Sequence, residues 1–346
     1  MGRLKGIRLE FYHRILKEIE REIRIHPSYA DLHNQIGLLL FHRGSWGEAE
    51  RYYKEALRLN PKYREAVLNL GFLYIKTEHW GEAEKIFFAE SRKHPQNAFI
   101  HHILGVLYLQ TGRGKEAAIR IKKAIQYHPP YQDFYKKKGI WERGVVHFDP
   151  EAVKGLIKIL LKQHDAQFHN FIGLYLARKG KPIQAVRELR KAVSLNPDEL
   201  SFHANLGTVY YHQGAYGKTI QEYKKTVKIS PLYGMGYANL SYTYGLMGRT
   251  REALRYMEKA VQIHPTYADL HYDLALLYSD RKQYGKAISE LKRALHINPN
   301  YLFARINLGV LYEDQKKWKE ARREYERILQ ITPEDEHVRK RLENIS

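Results

Sequence analysis

Histidine is the residue type in this sequence with the widest capacity for chemistry. Eighteen histidines could ligate a metal ion or transfer protons near neutral pH, and there is no cysteine to add a thiolate. Half of them, however, recur at two positions of a 34-residue period: His33, His101, His169, His203 and His271 at one, and His26, His94, His128 and His264 at the other. Such recurrence indicates a structural role, and at the second of these positions, just before a proline, an imidazole can bond to free carbonyls at the end of a helix.

Other signatures of catalysis are missing from the sequence. It contains no HExxH pattern, no glycine-rich phosphate loop, no GxSxG element and no paired-acid site. We therefore predict that the protein is not an enzyme, with no catalytic residue, no metal site and no cofactor.

A second group of side chains is suited to binding. One position of the period carries amides or a carboxylate at Gln35, Asn69, Asn205, Asn239, Asp273 and Asn307. A carboxamide both donates and accepts hydrogen bonds, so a row of them can hold a peptide backbone whatever its side chains. Tyr211, His212 and Tyr242 add aromatic and polar surface nearby. The alternative, that these amides only belong to the repeat consensus, stays open.

Prolines set the period that positions these residues. Ten positions lie 34 residues apart, and Gln163 occupies the fifth of them. The other nine are prolines: Pro27, Pro61, Pro95, Pro129, Pro197, Pro231, Pro265, Pro299 and Pro333. Because proline cannot continue a helix, each marks the end of one unit. Within each unit, apolar residues recur at intervals of three and four, which predicts two antiparallel helices.

Small and large residues alternate at fixed positions of the unit. Glycine recurs where two helices must approach closely, as at Gly71 and Gly309, and alanine recurs in the second helix, as at Ala83. A large apolar or aromatic residue follows, as at Phe87 and Tyr325.

This pattern of Leu-Gly, Tyr, Ala, aromatic residue and Pro resembles the tetratricopeptide repeat. The resemblance implies an all-α fold, a right-handed α-solenoid or superhelix of antiparallel helix pairs, with the first helices lining a concave groove. It implies binding of a peptide or partner segment. The row of amides is similar to the asparagine ladder in the superhelix of O-linked N-acetylglucosamine transferase.

The period divides the sequence into five segments of one continuous solenoid. We predict a capping helix over residues 1–29, repeat units 1–3 over 30–131, a degenerate unit 4 over 132–165, units 5–9 over 166–335 and a second capping helix over 336–346. In the degenerate unit we expect both helices to persist, the second capped by Asp149 with Pro150 as its first residue.

The formal charge of +20 raises anionic partners as a possibility. Most basic residues, such as Lys122, Lys224 and Lys259, fall on second helices, where we expect a solvated convex face. We expect a protein or peptide partner rather than nucleic acid. The sequence shows neither a signal peptide nor an apolar stretch long enough to span a membrane, so we expect no membrane insertion and a cytoplasmic location.

The two ends of the sequence are complementary half-repeats. Apolar residues line one side of each end helix: Phe11, Tyr12, Ile15 and Ile19 in the first, and Val338, Leu342 and Ile345 in the last. Head-to-tail stacking would complete a repeat across two molecules and produce rings or filaments. Alternatively, both helices are caps.

Taken together, these patterns favour a non-enzymatic interaction scaffold whose concave groove binds a peptide or partner segment. The alternatives are a self-assembling homo-oligomer and, less favoured, binding of nucleic acid or an acidic surface through the basic convex face.

Overall fold

The chain folds almost entirely into α-helices. The computed structural model describes residues 2–142 and 144–345, with side chains described from Tyr12 onward. These residues form nineteen helices and one two-stranded hairpin, which confirms the predicted all-α class and the packing of consecutive helices in pairs. None of the described helices combines the length and apolar character needed to cross a membrane.

The chain divides into two compact units, which are described separately. The first unit comprises residues 1–172 and 194–196. Its elements are α1 (Gly2–Ile25), α2 (Ala30–Arg43), α3 (Trp46–Leu59), α4 (Arg64–Lys76), α5 (Trp80–Lys93), α6 (Ala98–Gln110), α7 (Gly114–Tyr127), α8 (Tyr131–Lys137), β1 (Trp141–Glu142), β2 (Val145–Val146) and most of α9 (Pro150–Arg178).

The second unit comprises residues 173–193 and 197–346. It contains the end of α9, most of α10 (Pro182–Leu195), and then α11 (Leu200–His212), α12 (Tyr216–Ile229), α13 (Gly234–Leu246), α14 (Thr250–Ile263), α15 (Ala268–Asp280), α16 (Tyr284–Ile297), α17 (Leu302–Asp314), α18 (Trp318–Ile331) and α19 (Glu336–Asn344). In both units, first helices begin at the residues that the period predicts, as at Ala98 and Ala268.

The recurring glycines let the two helices of a pair approach closely. A Cβ atom on Gly71 would lie 2.6 Å from Cζ of Phe87, and one on Gly309 would lie 2.5 Å from Cε1 of Tyr325. Real Cβ atoms do not approach other atoms so closely. The large residue of each second helix therefore occupies space that only glycine leaves free, as the pairing of positions in the sequence predicts.

Residues 132–165 depart from the helix pair. Helix α8 is only 7 residues long and ends at Lys137, and Gly139, with a φ of 69°, turns the chain away after it. The β1–β2 hairpin follows, with Trp141 paired to Val146. Both expected helices therefore occur in this segment, as α8 and the start of α9, but the first is short and a hairpin separates them.

Helix α9 is 29 residues long and joins two segments that the period keeps separate. It starts as predicted, because Pro150 is its first residue and Asp149 accepts a hydrogen bond from the Glu151 amide at 3.1 Å. It then continues through Gln163, at the one place where the proline series is interrupted. Glutamine keeps the amide hydrogen that proline lacks, so the helix need not end there. The predicted boundary between residues 165 and 166 thus falls inside a helix.

Candidate binding face

The side of the first helices that the sequence predicts to be concave has a different composition in the two units. In the first unit it consists of Asp31, Asn34, Gln35, Leu38, Phe41 and His42 on α2, Glu65, Leu68, Asn69, Phe72, Ile75 and Lys76 on α4, and Phe99, His102, Ile103, Val106, Leu109 and Gln110 on α6. We call this the first-unit face. In the second unit it consists of Ser201, Asn205, Thr208, Tyr211 and His212 on α11, Met235, Asn239, Tyr242 and Leu246 on α13, Asp269, Tyr272, Asp273, Leu276 and Asp280 on α15, and Phe303, Asn307, Val310, Glu313 and Asp314 on α17. We call this the second-unit face.

The first-unit face is covered by the chain's own helix α9. Val153, Leu156 and Leu160 of α9 are buried in one hydrophobic cluster with residues of α4 and α6, including Phe72 and Val106. Further along, the ring of His164 lies 4.4 Å from that of Phe41, measured between centroids. Helix α9 therefore occupies the position that a bound partner helix would take.

Two of the predicted groove residues are removed from solvent in this arrangement. Gln35 and Asn69 are 7% and 6% exposed. Nε2 of Gln35 donates to Asp31 at 2.6 Å, and Nδ2 of Asn69 donates to Oδ1 of Asn34 at 2.9 Å. The prediction that these two amides contact a peptide needs correction, because burial and hydrogen bonding within the chain leave them almost no accessible surface.

The second-unit face is open to solvent. Large apolar or aromatic side chains on it are exposed, including Phe303 at 66%, Leu246 at 55%, Met235 at 38% and Tyr242 at 37%. His212 and Thr208 are also exposed or partly exposed. Asn205, Tyr211, Asn239, Asp273 and Asn307 are partly buried. Seven of the nine predicted groove residues therefore lie on one accessible face.

Hydrogen bonds link successive first helices along this face. The hydroxyl of Tyr242 on α13 donates to Oδ2 of Asp273 on α15. Nδ2 of Asn307 on α17 donates to the hydroxyl of Tyr272 at 3.3 Å and to the carbonyl of Phe303 at 2.9 Å. These bonds hold aromatic and polar groups of the second-unit face in a fixed row.

The second-unit face is acidic although the chain is strongly basic. It carries Asp269, Asp273, Asp280, Glu313 and Asp314, and neither lysine nor arginine. Arg341 pairs with Glu313 at 2.8 Å. Burial, together with the charge of Asp269, raises the pKa of Asp273 above its ordinary value despite the hydrogen bond from Tyr242. A positive charge brought to this face by a ligand would relieve that repulsion.

Four of the five recurring histidines in the set His33, His101, His169, His203 and His271 have a structural role, as their recurrence predicts. Nε2 lies 2.8 to 3.0 Å from the carbonyl oxygen of the preceding unit's proline at His33, His101, His203 and His271. In the second unit, Nδ1 of His203 also lies 2.6 Å from Glu222. The two ring nitrogens thus contact a carbonyl of the preceding 34-residue repeat and a carboxylate of the ring's own repeat, so the ring connects neighbouring repeats.

The pair of His203 and Glu222 leads to a prediction about pH. Burial raises the pKa of the Glu222 carboxyl, but hydrogen bonds from His203 and Lys225 outweigh burial and hold it below its ordinary value of 4.5. A carboxyl whose pKa is lower in the folded than in the unfolded chain stabilises the fold at pH values above its unfolded pKa. This stabilisation is lost as the pH falls through the folded pKa. Glu222→Gln is therefore expected to destabilise the protein at pH 7 and progressively less below pH 4.5. Urea unfolding across this range tests it, and the exposed Glu343→Gln is the control; a difference that stays constant with pH would contradict the assignment.

The residues predicted for self-association lie in contacts within the chain. Ile15 and Ile19 are 3% and 0% exposed, and Val338 is 4% exposed. Leu342 and Ile345 pack against the cluster that contains Val338. The ring of Tyr12 contacts Phe168 edge to face at 5.2 Å, whereas the side chain of Phe11 lies outside the described residues. Self-association through these residues stays a prediction.

The sequence prediction missed the covering of the first-unit face, but the sequence contains a signal for it. At the same position of the period, three successive helices, α2, α4 and α6, carry Leu38, Phe72 and Val106. In the second unit α11 and α13 carry Thr208 and Tyr242, and only α15 and α17 carry aliphatic residues, Leu276 and Val310. A run of aliphatic and phenyl groups on a predicted open face indicates that something covers it.

Comparison with known proteins agrees with this architecture. A family model described as Tetratricopeptide repeat matches residues 40–98, 246–291 and 279–344, and a second model with the same description matches residues 171–233. No curated protein sequence matches the chain.

Several solved structures are similar to parts of the chain. MamA from Desulfovibrio magneticus RS-1 is 20% identical over 50% of this chain and 97% of its own, with a TM-score of 0.45. TTC0263, a tetratricopeptide repeat protein of Thermus thermophilus, is 25% identical over 52% of this chain and 98% of its own, with a TM-score of 0.38. Pseudomonas aeruginosa pilF is 16% identical over 70% of this chain and 95% of its own, with a TM-score of 0.44. The family models match more than half of the chain between them, and the chain belongs to the tetratricopeptide repeat family.

Proposed function

We propose that the protein is a non-enzymatic interaction scaffold whose second-unit face binds a basic peptide segment of a partner protein. Tetratricopeptide repeats support a role as a protein-interaction scaffold in general. The observation that carries the finer proposal is the contrast between the two faces: the first-unit face has an apolar part that α9 covers, and the second-unit face is exposed, aromatic and acidic.

The chemistry of the second-unit face indicates how such a segment would be held. Tyr242 and Phe303 provide exposed rings that can act as anchors at a protein interface. The amides of Asn239 and Asn307 lie on the same face. Asn239 can donate to and accept from a peptide backbone, whereas Asn307 can only accept through Oδ1, because its Nδ2 already donates to Tyr272 and to the carbonyl of Phe303. Aromatic groups and amides together fix the orientation of a segment without specifying every side chain.

Charge selects the class of partner. Asp269, Asp280 and Asp314 are exposed on the face, which lacks lysine and arginine. A segment that carries Lys or Arg would be attracted to these carboxylates, whereas an acidic segment would be repelled. Because exposed charges are screened by salt, the attraction should weaken as ionic strength rises.

Binding of peptides selected from a library tests this proposal. Peptides are selected on the wild-type chain, and dissociation constants are measured by fluorescence anisotropy at two salt concentrations. We expect enrichment of Lys and Arg, and a loss of affinity of at least about tenfold in the double variant Asn239→Ala/Tyr242→Ala. We expect Asp280→Asn/Asp314→Asn to reduce both the affinity and its salt dependence.

The matched control is Lys224→Ala, on the exposed side of α12. Selected peptides that bind this control and both face variants with equal affinity would show that the second-unit face is not the binding site. Enrichment of acidic rather than basic residues would contradict the proposed class of partner.

A further inference from the structure

We propose that the first unit contains a binding site for a divalent transition-metal ion, formed by His42 of α2 with His164 and Asp165 of α9. One ligand atom from each of these side chains lies within 4.8 Å of the other two. The sequence prediction of no metal site did not consider this set, since α2 and α9 are far apart along the chain.

Unpartnered nitrogen atoms are the first observation that supports the site. His164 is fully buried, and neither of its ring nitrogens has a hydrogen-bond partner. Nε2 of His42 also lacks one. Buried polar atoms without partners are rare in folded proteins, and each calls for an explanation. A coordinated metal ion would provide the missing interaction for one nitrogen of each ring.

The approach of ligand atoms from the two helices is the second observation. Nδ1 of His42 on α2 lies 3.5 Å from Oδ1 of Asp165 on α9. This distance exceeds that of a hydrogen bond, so the two atoms are close to each other without being bonded to each other.

The side chains must reorient to share one ion. The two imidazole rings are nearly parallel, with an interplanar angle of 8° and centroids 5.4 Å apart. Zinc takes nitrogen ligands at about 2.0–2.1 Å and carboxylate oxygens at about 2.0–2.2 Å, so the ligand atoms must close from their present spacing by rotation of the side chains. Asp165 is half exposed, which leaves a route for the ion to enter.

The donor set decides the class of metal. Two imidazoles and one carboxylate suit zinc, cobalt, nickel or copper, whereas magnesium and calcium prefer ligand sets made only of oxygen. A bound ion would fasten α9 to α2 and so hold the cover of the first-unit face in place.

Direct metal binding tests the proposal. The full-length chain is purified without a histidine tag, stripped with a chelator and titrated with Zn²⁺ in competition with a chromophoric chelator. Co²⁺ provides a second readout through its visible absorption spectrum, and Mg²⁺ serves as the ion that should not bind. We expect one tight Zn²⁺ site per chain.

Two single variants locate the site. His164→Leu replaces a buried ring in apolar surroundings. Asp165→Asn changes a half-exposed carboxylate and is unlike it in that the substitution lies at the surface, so it provides a test even if the leucine variant does not fold. Each is expected to weaken tight Zn²⁺ binding by more than about tenfold, because even changes outside the ligand shell commonly cost that much. His212→Ala, an exposed histidine, should bind like the wild type. The proposal is overturned if the wild type has no tight site, or if a folded variant of His164 or Asp165 keeps wild-type affinity.

Discussion

Replacing Gln163 by proline is expected to lower the free energy of unfolding by about 3 kcal/mol or more. The substitution restores the regular proline series of the sequence, yet residue 163 lies inside the 29-residue helix α9. A proline there removes a helical hydrogen bond, and its ring clashes with the preceding turn. Leu160 and His164, which lie on either side of residue 163 in the sequence, are both fully buried. A kink between them would prevent both side chains from keeping their buried positions.

Urea unfolding followed by circular dichroism measures this loss. Gln163→Ala is the matched control, because alanine favours the helix and removes a side-chain oxygen that is buried without a hydrogen-bond partner. We expect the alanine variant to be as stable as the wild type or slightly more stable. A proline variant that loses less than about 1 kcal/mol would show that α9 is not a continuous helix at this residue.

Replacing Arg305 by methionine is expected to cost about 3–5 kcal/mol. The guanidinium of Arg305 donates to Glu324 at 2.7 Å and to the carbonyl of Pro299, and both charged side chains are 7% exposed. The methionine variant leaves the Glu324 carboxylate buried with only the longer contact to Arg327, at 3.4 Å. An uncompensated buried charge is more costly than the loss of the pair as a whole.

Two further variants separate this charge effect from packing. The double variant Arg305→Met/Glu324→Leu is expected to recover much of the lost stability, since it removes both charges. Arg305→His should also be tolerated, because histidine occupies the same position in His203 and His271 with an equivalent proline carbonyl and an equivalent glutamate. Chemical denaturation of the three variants measures the coupling; equal losses in the single methionine variant and the double variant would contradict it.

The repeating part of the fold could be predicted from the sequence because its determinants are local. Proline ends a helix, glycine permits close approach, and the 34-residue period repeats both at the same positions in most units. Helices α6 and α15 therefore begin at the predicted residues. The course of α9 could not be predicted in the same way. An absent proline allows a helix to continue, but the surface on which that helix packs depends on residues far away in the sequence.

The candidate site was predicted in part for the same reason. Asn239, Asn307 and Tyr242 lie on an accessible face because their surroundings are regular repeats. Gln35 and Asn69 occupy the same position of the period but are buried. The period places each residue on its helix correctly, but it carries no information about what covers the helix. The grouping of His42 with His164 was missed because it depends on the same long-range packing.

The rate at which single cysteines react with a maleimide tests the central claim most directly, namely that α9 covers the first-unit face while the second-unit face is free. The chain has no cysteine, so each variant presents one thiol. The two variants are Val106→Cys and Thr208→Cys. Val and Thr are similar in size, and the two residues occupy the same position of the period, one in each unit. Val106 is 0% exposed, whereas Thr208 is exposed. We predict that Cys at 208 reacts at the rate of a free thiol and Cys at 106 at least about 100-fold more slowly, which corresponds to an opening free energy of about 3 kcal/mol. Similar rates at the two positions, in folded variants, would contradict the claim.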